Sequence, residues 1–238
     1  SDDRVPAILT AEWSTLTPSL KGQILDLLLS RAAWQKQLLD LIDKKTISAG
    51  HVDASRRQQL LAHRDEKVRA RATKVFEGAV SPDRRKVLDS YKEAATLTGD
   101  GRHGKAVFAK SCSACHRLED VGHAVGPDLQ AMPNKTPLYL LTEILDPNRN
   151  VDTRYLAYVA VTRTGRTFTG ILASESATSL TLRSQEGKEQ VLLRSELDEL
   201  QSTSKSLMPE GLEKELSKQD IADLIAYLTT RVVPRKRN

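Results

Sequence analysis

Cys112-Ser113-Ala114-Cys115-His116 decides how this chain is read. Two thiols separated by two residues, with an imidazole directly after the second, form C-x-x-C-H, the attachment pattern of a c-type haem. The thiols add to the two haem vinyl groups, and the histidine is placed to bind iron from one side. Parts of the pattern serve other chemistry. A C-x-x-C pair is a redox dithiol in thioredoxin-like folds, although no strand pattern precedes Cys112 here. His116 and His123 could complete a Cys2His2 zinc site, and short motifs also arise by chance. The chain holds 2 cysteines in all, so no other disulfide framework competes for these thiols.

Immediately before the motif, Gly104 to Lys110 reads as a helix, with Gly104 and Phe108 four residues apart on one face. After it, Gly122, Gly126 and Pro127 keep the chain irregular. Thr136 is placed to cap a further helix with Pro137 at its first position. That helix carries Leu140, Leu141, Ile144 and Leu145 and stops at Asp146-Pro147-Asn148. The period then changes from helical to alternating. Tyr155–Arg163, Arg166–Ala173, a pair around Leu180 and Leu182, and Val191–Leu193 suggest a meander of four short strands turning at Gly165 and Gly187. The last element is helical again. Ser217 is a good N-cap with Asp220 near the positive helix end, and Ile221, Leu224, Ile225 and Leu228 form a buried face beside Tyr227.

Before the haem motif, residues 17–97 are helical in pattern. Thr17 caps a helix opening at Pro18 and carrying Leu20, Ile24, Leu27 and Leu28. Trp34, Leu38, Leu39 and Ile42 form a second stripe, and Ile47–His51 reads as a loop. Leu60 and Leu61 mark a third helix. Val68, Ala72, Val75 and Phe76 mark a fourth, and Ser81-Pro82-Asp83 opens a fifth with Val87, Leu88 and Tyr91. Paired short helices suggest a HEAT- or armadillo-like fragment, with an ordinary helical bundle as the alternative. Thr98-Gly99-Asp100-Gly101 is the expected linker. The expected organisation is therefore mainly α: an α-helical, HEAT-like domain over 1–98, then a haem domain over 99–238 with a β insertion at about 154–195.

The chain's 238 residues suffice for one large or two small domains. A hydrophobic fraction of 39% with 28% charged residues is that of a globular protein, and no apolar run approaches membrane-spanning length, so no membrane insertion by this segment is expected. The formal charge of +5 is mild, acids interleave with the bases, and aromatics are 4%, so nucleic-acid binding does not follow. Arg231–Arg237 forms a basic tail, read as a solvated terminus. No signal peptide is visible after Ser1. Haem attachment to C-x-x-C-H takes place outside the cytoplasm in bacteria. A periplasmic or otherwise extracytoplasmic location is therefore expected, with an export signal removed or upstream.

A low-spin haem needs a second axial ligand. The candidates are Met132, Met208, His103 and His123. A methionine thioether favours ferrous iron and suits electron transfer. Met132 lies in a stretch that must first wrap the His116 side, whereas Met208 sits in a polar loop, Ser204–Gly211, with little structural reason to hold a methionine. Met208 is the expected ligand. His116 also needs an acceptor for its other ring nitrogen, and a carbonyl within Gly126-Pro127-Asp128 is the natural one.

Residues 101–230 resemble class I cytochrome c, in the variety found as a C-terminal haem-binding domain of planctomycete and verrucomicrobial proteins. The matching segments are Gly104–Phe108, Cys112–His116, Val121–Leu129, Ile144–Asn148, Ser206–Leu212 and Ala222–Leu228. The resemblance implies one covalent haem c, thioethers from Cys112 and Cys115, His116 and Met208 as axial iron ligands, and Pro127 accepting from His116. It also implies that Gly126 lies beside the haem and that Gly104 and Phe108 pack on the terminal helix near Tyr227. Compact class I cytochromes have a shorter path from motif to methionine, and the strand meander fills the excess here. Such domains often end long proteins, behind a dehydrogenase-like propeller and HEAT-like helices. The function implied is electron transfer rather than catalysis, with a redox partner protein or a fused dehydrogenase domain as donor. The alternatives are a haem peroxidase or gas sensor with a displaceable sixth ligand and His123 as its acid–base group, or a partner-docking helical module.

Overall fold

The computed structural model describes residues 4–77, 82–132 and 134–229. The basic tail and Ser81 lie outside the described residues. About half of the described chain is helical, and the rest is built around one antiparallel sheet in the C-terminal region.

Five helices open the chain: α1 (Val5–Thr10), α2 (Pro18–Leu29), α3 (Ala32–Asp43), α4 (Ala54–Leu61) and α5 (Glu66–Glu77). The Thr17 hydroxyl accepts from the Leu20 N–H at 3.3 Å, which satisfies one orphan donor at the start of α2. The apolar stripes of α2 to α5 meet in a single cluster that includes Leu25, Leu28, Leu38, Leu39, Leu60 and Ala72. Helix α1 was not anticipated. Its Val5 and Leu9 pack on the same cluster, but a six-residue segment is too short to show a helical period.

α6 (Pro82–Tyr91) packs elsewhere. Its Val87, Leu88 and Tyr91 join a second core built on α7 (Gly101–Ser111), α8 (Pro137–Leu145) and α9 (Lys218–Thr229). The Tyr91 hydroxyl donates to the carbonyl of Glu213 at 2.9 Å, and Arg84 pairs with Glu213 at 2.7 Å, so α6 is bound to the far end of the chain. α7 crosses α9 closely. A Cβ at Gly104 would overlap the carbonyl oxygen of Asp223, so only glycine lets the two backbones approach this far. Phe108 is fully buried one turn later, with its ring centroid 5.6 Å from that of Tyr227. That burial contributes about 2–3 kcal/mol. Ser217 and Asp220 cap α9 reciprocally, each side chain accepting from the other's backbone N–H. At α8 the expected cap is not made: the Thr136 hydroxyl bonds the Asn134 side chain at 3.0 Å instead.

A two-stranded hairpin, β1 (Arg117–Leu118) with β2 (Val121–Gly122), follows the motif. The main sheet comprises β3 (Leu156–Thr162), β4 (Thr167–Glu175), β5 (Ser179–Arg183), β6 (Glu189–Leu193) and β7 (Leu197–Ser206), in the order β6-β5-β4-β3-β7. The expected four-stranded meander is thus corrected to five antiparallel strands. β7 returns to the free side of β3, with Leu156 opposite Ser206 and Thr162 opposite Leu197. Its sequence is polar over most of its length, so it carries no apolar alternation, and as an edge strand it has one hydrogen-bonded neighbour. The first three residues of the expected Ser204–Gly211 loop belong to it. Leu156, Tyr158, Ala160, Leu180, Leu182 and Leu192 form the sheet's own core.

Candidate functional site

The motif sits where α7 ends. Cys112 N donates to the Phe108 carbonyl at 2.9 Å as the last helical bond, and His116 N returns to the Cys112 carbonyl at 2.9 Å, so the five residues form one tight turn. The segment from Val121 to Gly126 is laced onto that turn. His123 N donates to the Ser113 carbonyl at 2.9 Å, Val125 N to the Cys115 carbonyl at 2.9 Å, and Gly126 N to the same oxygen at 2.7 Å. These bonds bring Gly126 against the His116 ring. A Cβ there would lie 2.5 Å from the ring carbon Cε1, closer than real contacts allow.

The next residue fixes the imidazole. His116 Nδ1 lies 3.2 Å from the Pro127 carbonyl, which only accepts, so the proton is on Nδ1 and the Nε2 lone pair is free for a metal. Burial holds the His116 ring below its ordinary pKa despite that hydrogen bond, which keeps it neutral at pH 7. Burial also pushes the Cys112 thiol up to about 12, with the neighbouring Cys115 adding to the shift, and raises Cys115. Thiols in that state are poor redox nucleophiles. Both cysteines are free, and the motif follows a helix rather than a strand, so a thioredoxin-like site is not what the geometry builds.

A cavity of about 590 Å³ opens beside the turn. This is within the range of roughly 300–1,000 Å³ usual for cofactor sites. Cys112, Cys115 and His116 line it, with Phe108, Gly126 and Pro127 from the surrounding segments. Leu224 and Leu228 of α9, Leu140 and Ile144 of α8, and Ile171 of β4 supply apolar wall.

Of the four candidates for a second axial ligand, Met208 and Met132 line this cavity. His103 and His123 are not among its lining residues. His103 is engaged outside it, its Nδ1 2.7 Å from Asp223 Oδ2. His123 faces the β5–β6 turn near Gly187. The two methionines differ in their surroundings. Met132 packs on the hydrophobic core, whereas Met208 stands outside all three core clusters and is held by polar contacts around it. Asn148 bridges that loop, accepting from Ser206 N at 2.8 Å and donating to Glu210 Oε1 at 2.5 Å. Met208 N donates to Ser206 Oγ at 3.1 Å. β7 leads directly into this segment, so the fifth strand delivers Met208 to the cavity.

Among the described residues no cluster of three or more His, Cys, Asp or Glu could hold a metal ion by itself, which removes the Cys2His2 zinc arrangement with His123. The residues present fit a haem: two free thiols, an oriented imidazole and a soft sulfur meet at one largely apolar cavity. Sequence reasoning did not single out Tyr139, Glu143, Arg154 and Tyr155, which also line it. Tyr139 and Glu143 are four residues apart on α8 beside its apolar stripe, and that spacing was the available signal. Arg154 and Tyr155 lie on the single turn of 3-10 helix that enters the sheet and carry no such mark.

Among the described residues no helix is long and apolar enough to cross a membrane. The chain matches no curated protein. A family model for cytochrome c matches residues 102–231, more than half of the chain and the segment that contains every residue of the cavity just described. The chain therefore belongs to the cytochrome c family, whose members carry a covalently bound haem c and exchange electrons with redox partners.

Proposed function

We propose that this chain transfers single electrons through one haem c held by thioethers from Cys112 and Cys115 and ligated by His116 and Met208. The observation that carries the reading is the convergence of those four side chains on one cavity. When bound, the haem would supply a one-electron ferric/ferrous couple, and a thioether sulfur among its ligands would favour the ferrous form.

The chain's own residues orient and shield. Pro127 holds the His116 proton on Nδ1 and so keeps Nε2 directed as a ligand. Gly126 lets the backbone approach the imidazole more closely than any side chain would allow. Asn148 fixes the Met208 loop from both ends, which limits how far the sulfur can move. Phe108, Leu224 and Leu228 close the apolar wall. Bonds are neither made nor broken in such a site, and the encounter with a redox partner is small and transient. His123 is not among the residues lining the cavity and lies near Gly187, which favours electron transfer over the peroxidase alternative.

We further infer an extracytoplasmic location and a dehydrogenase partner or fused domain as electron donor, with the HEAT-like N-terminal helices holding the haem domain in place. The motif segments shared with the C-terminal haem domains of multidomain proteins support this. Redox titration of the haem-loaded protein tests the electron-transfer reading. A reversible one-electron couple, with a reduced form that does not bind carbon monoxide, is expected. Rapid carbon monoxide binding by the reduced protein would contradict a closed His/Met site and favour a sensor or peroxidase.

A further inference from the structure

Glu143 is a carboxylate in the wall between two cavities. On one side it lines the haem cavity. On the other it lines a solvent-open groove of about 800 Å³ between α6 and α8, and Tyr139 and Asn150 also face both. The side chain is half-buried and accepts a long hydrogen bond from Asn150 Nδ2 at 3.4 Å. A carboxylate placed so senses charge inside the cavity and still reaches water through the groove.

The charges around it do not fix it as an anion. On its own helix stand Tyr139 and, at the C-terminal end, Asp146. Asp146 is 3% exposed, and its Oδ2 has no hydrogen-bond partner among the described residues. Burial raises its own pKa, and its charge opposes a second one nearby. Arg149, in the turn that follows, is exposed and favours the anion only weakly through solvent. From α6 and the turn after it, Arg85, Asp89 and Lys92 line the groove as solvated groups. Arg84 of α6 is committed to Glu213, in the turn before α9. α9 offers the apolar Leu224 and Leu228. Asp128, Asp152 and Arg154 also line the haem cavity, with His116, Cys112, Cys115 and Tyr155, and Arg154 is paired with Asp152 at 2.7 Å. Burial, with Asp146 beside it, holds the Glu143 carboxyl above the usual carboxylate range despite the Asn150 bond.

We propose that Glu143 is the redox-linked proton acceptor of the haem cavity, taking one proton from solvent when the protein gains one electron and releasing it on oxidation. This rests on the electron-transfer reading. The step balances simply. One electron arrives from a one-electron donor and lowers the positive charge of the cavity by one. One proton enters from water through the groove and converts the Glu143 carboxylate to the neutral acid. No other bond changes. Glu143 acts through the field at the iron and not by ligation, and is a positioning residue for charge.

The test is the midpoint potential of the haem-loaded protein as a function of pH. The wild type should show a potential that falls with rising pH across one window and levels off on both sides. Glu143→Gln should hold the potential near the wild type's low-pH plateau and abolish the slope in that window. Glu143→Asp, which keeps the carboxyl, should retain a slope at a shifted pH. In infrared difference spectra, a protonated-carboxyl band should appear on reduction in the wild type and vanish in Glu143→Gln. A wild-type potential flat with pH, a slope unchanged in Glu143→Gln, or no carboxyl band on wild-type reduction would overturn the inference alone. The absence of any reversible one-electron couple would overturn the electron-transfer reading and this inference with it.

Discussion

His116 is fixed by its neighbours on two sides, Gly126 against the ring and the Pro127 carbonyl at Nδ1. Gly126→Ala should therefore disturb the imidazole without touching the thiols. Haem should remain covalently attached while the absorption spectrum shows a mixture of ligation states. Cys112→Ser removes one attachment point, and haem retention on a denaturing gel should drop well below wild type. Full retention would contradict attachment through both thiols. Met208 was singled out in sequence because a polar stretch gave it no packing role. It lines the cavity outside the core clusters, as Met132 lines it from the core, and its ligation is the proposal that remains to be tested. Glu143 and Arg154 left no such trace, since a charged residue beside an apolar stripe looks the same whether it faces solvent or a cofactor cavity.

The crossing of α7 and α9 is the element on which the cavity rests. Gly104→Ala would force a methyl group into the Asp223 carbonyl, a backbone atom that no rotamer change can move. A loss of about 3 kcal/mol is expected, read as a lower denaturation midpoint. Asp223 ties the same crossing together. Its carboxylate, 4% exposed, accepts from Asp100 N at 2.7 Å and Gln219 Nε2 at 2.8 Å, and faces His103 Nδ1 at 2.7 Å. Burial alone would raise its pKa, but these donors hold it below the usual carboxylate value. A depressed folded value stabilises the protein above the unfolded pKa, and that stability is lost as pH falls through the folded one. Asp223→Asn should cost about 2–3 kcal/mol near pH 7 and flatten the acid limb of the stability profile. α9 was legible from its apolar spacing and its Ser217 cap, and the body of α7 from Gly104 and Phe108. Asp100, read as linker, is the residue that caps α7, and the helix opens at Gly101. β7 was not, because an edge strand with a polar sequence obtains its order from pairing with β3 rather than from its own pattern.

At the scale of the whole molecule, the N-terminal helical cluster meets the C-terminal region at a seam around the 3-10 turn Ala49–His51 and α4. A Cβ at Gly50 would overlap the Ser204 carbonyl of β7. His51 accepts from Trp13 Nε1 at 3.4 Å and lies 3.3 Å from Ser204 Oγ. Arg57, 7% exposed, donates to the carbonyls of Val52 at 2.6 Å and Arg149 at 2.5 Å, joining helices to haem domain. Burial, with Lys21 nearby, lowers the His51 pKa to about 4. The unfolded chain binds that proton from about pH 6.5 downward and the folded one does not. Stability should therefore fall as pH drops from about 6.5 towards 4. Denaturant titrations of wild type and His51→Gln over that range check this: the variant's curve should be shallower. Of this seam α4 was legible, but Ala49–His51, expected as part of a loop, forms a single 3-10 turn. The seam itself was not legible, since its contacts join residues far apart in sequence through backbone carbonyls that leave no pattern.

The most direct measurement is the absorption spectrum of the haem-loaded protein, oxidised and then reduced, for wild type, Met208→Ala and Met132→Ala. A low-spin haem c with the weak long-wavelength ferric band of sulfur ligation is expected in the wild type and in Met132→Ala. In Met208→Ala that band should be lost and the potential lowered, with the haem still covalent. A high-spin wild type, or a band that survives Met208→Ala and disappears in Met132→Ala, would contradict His116/Met208 ligation.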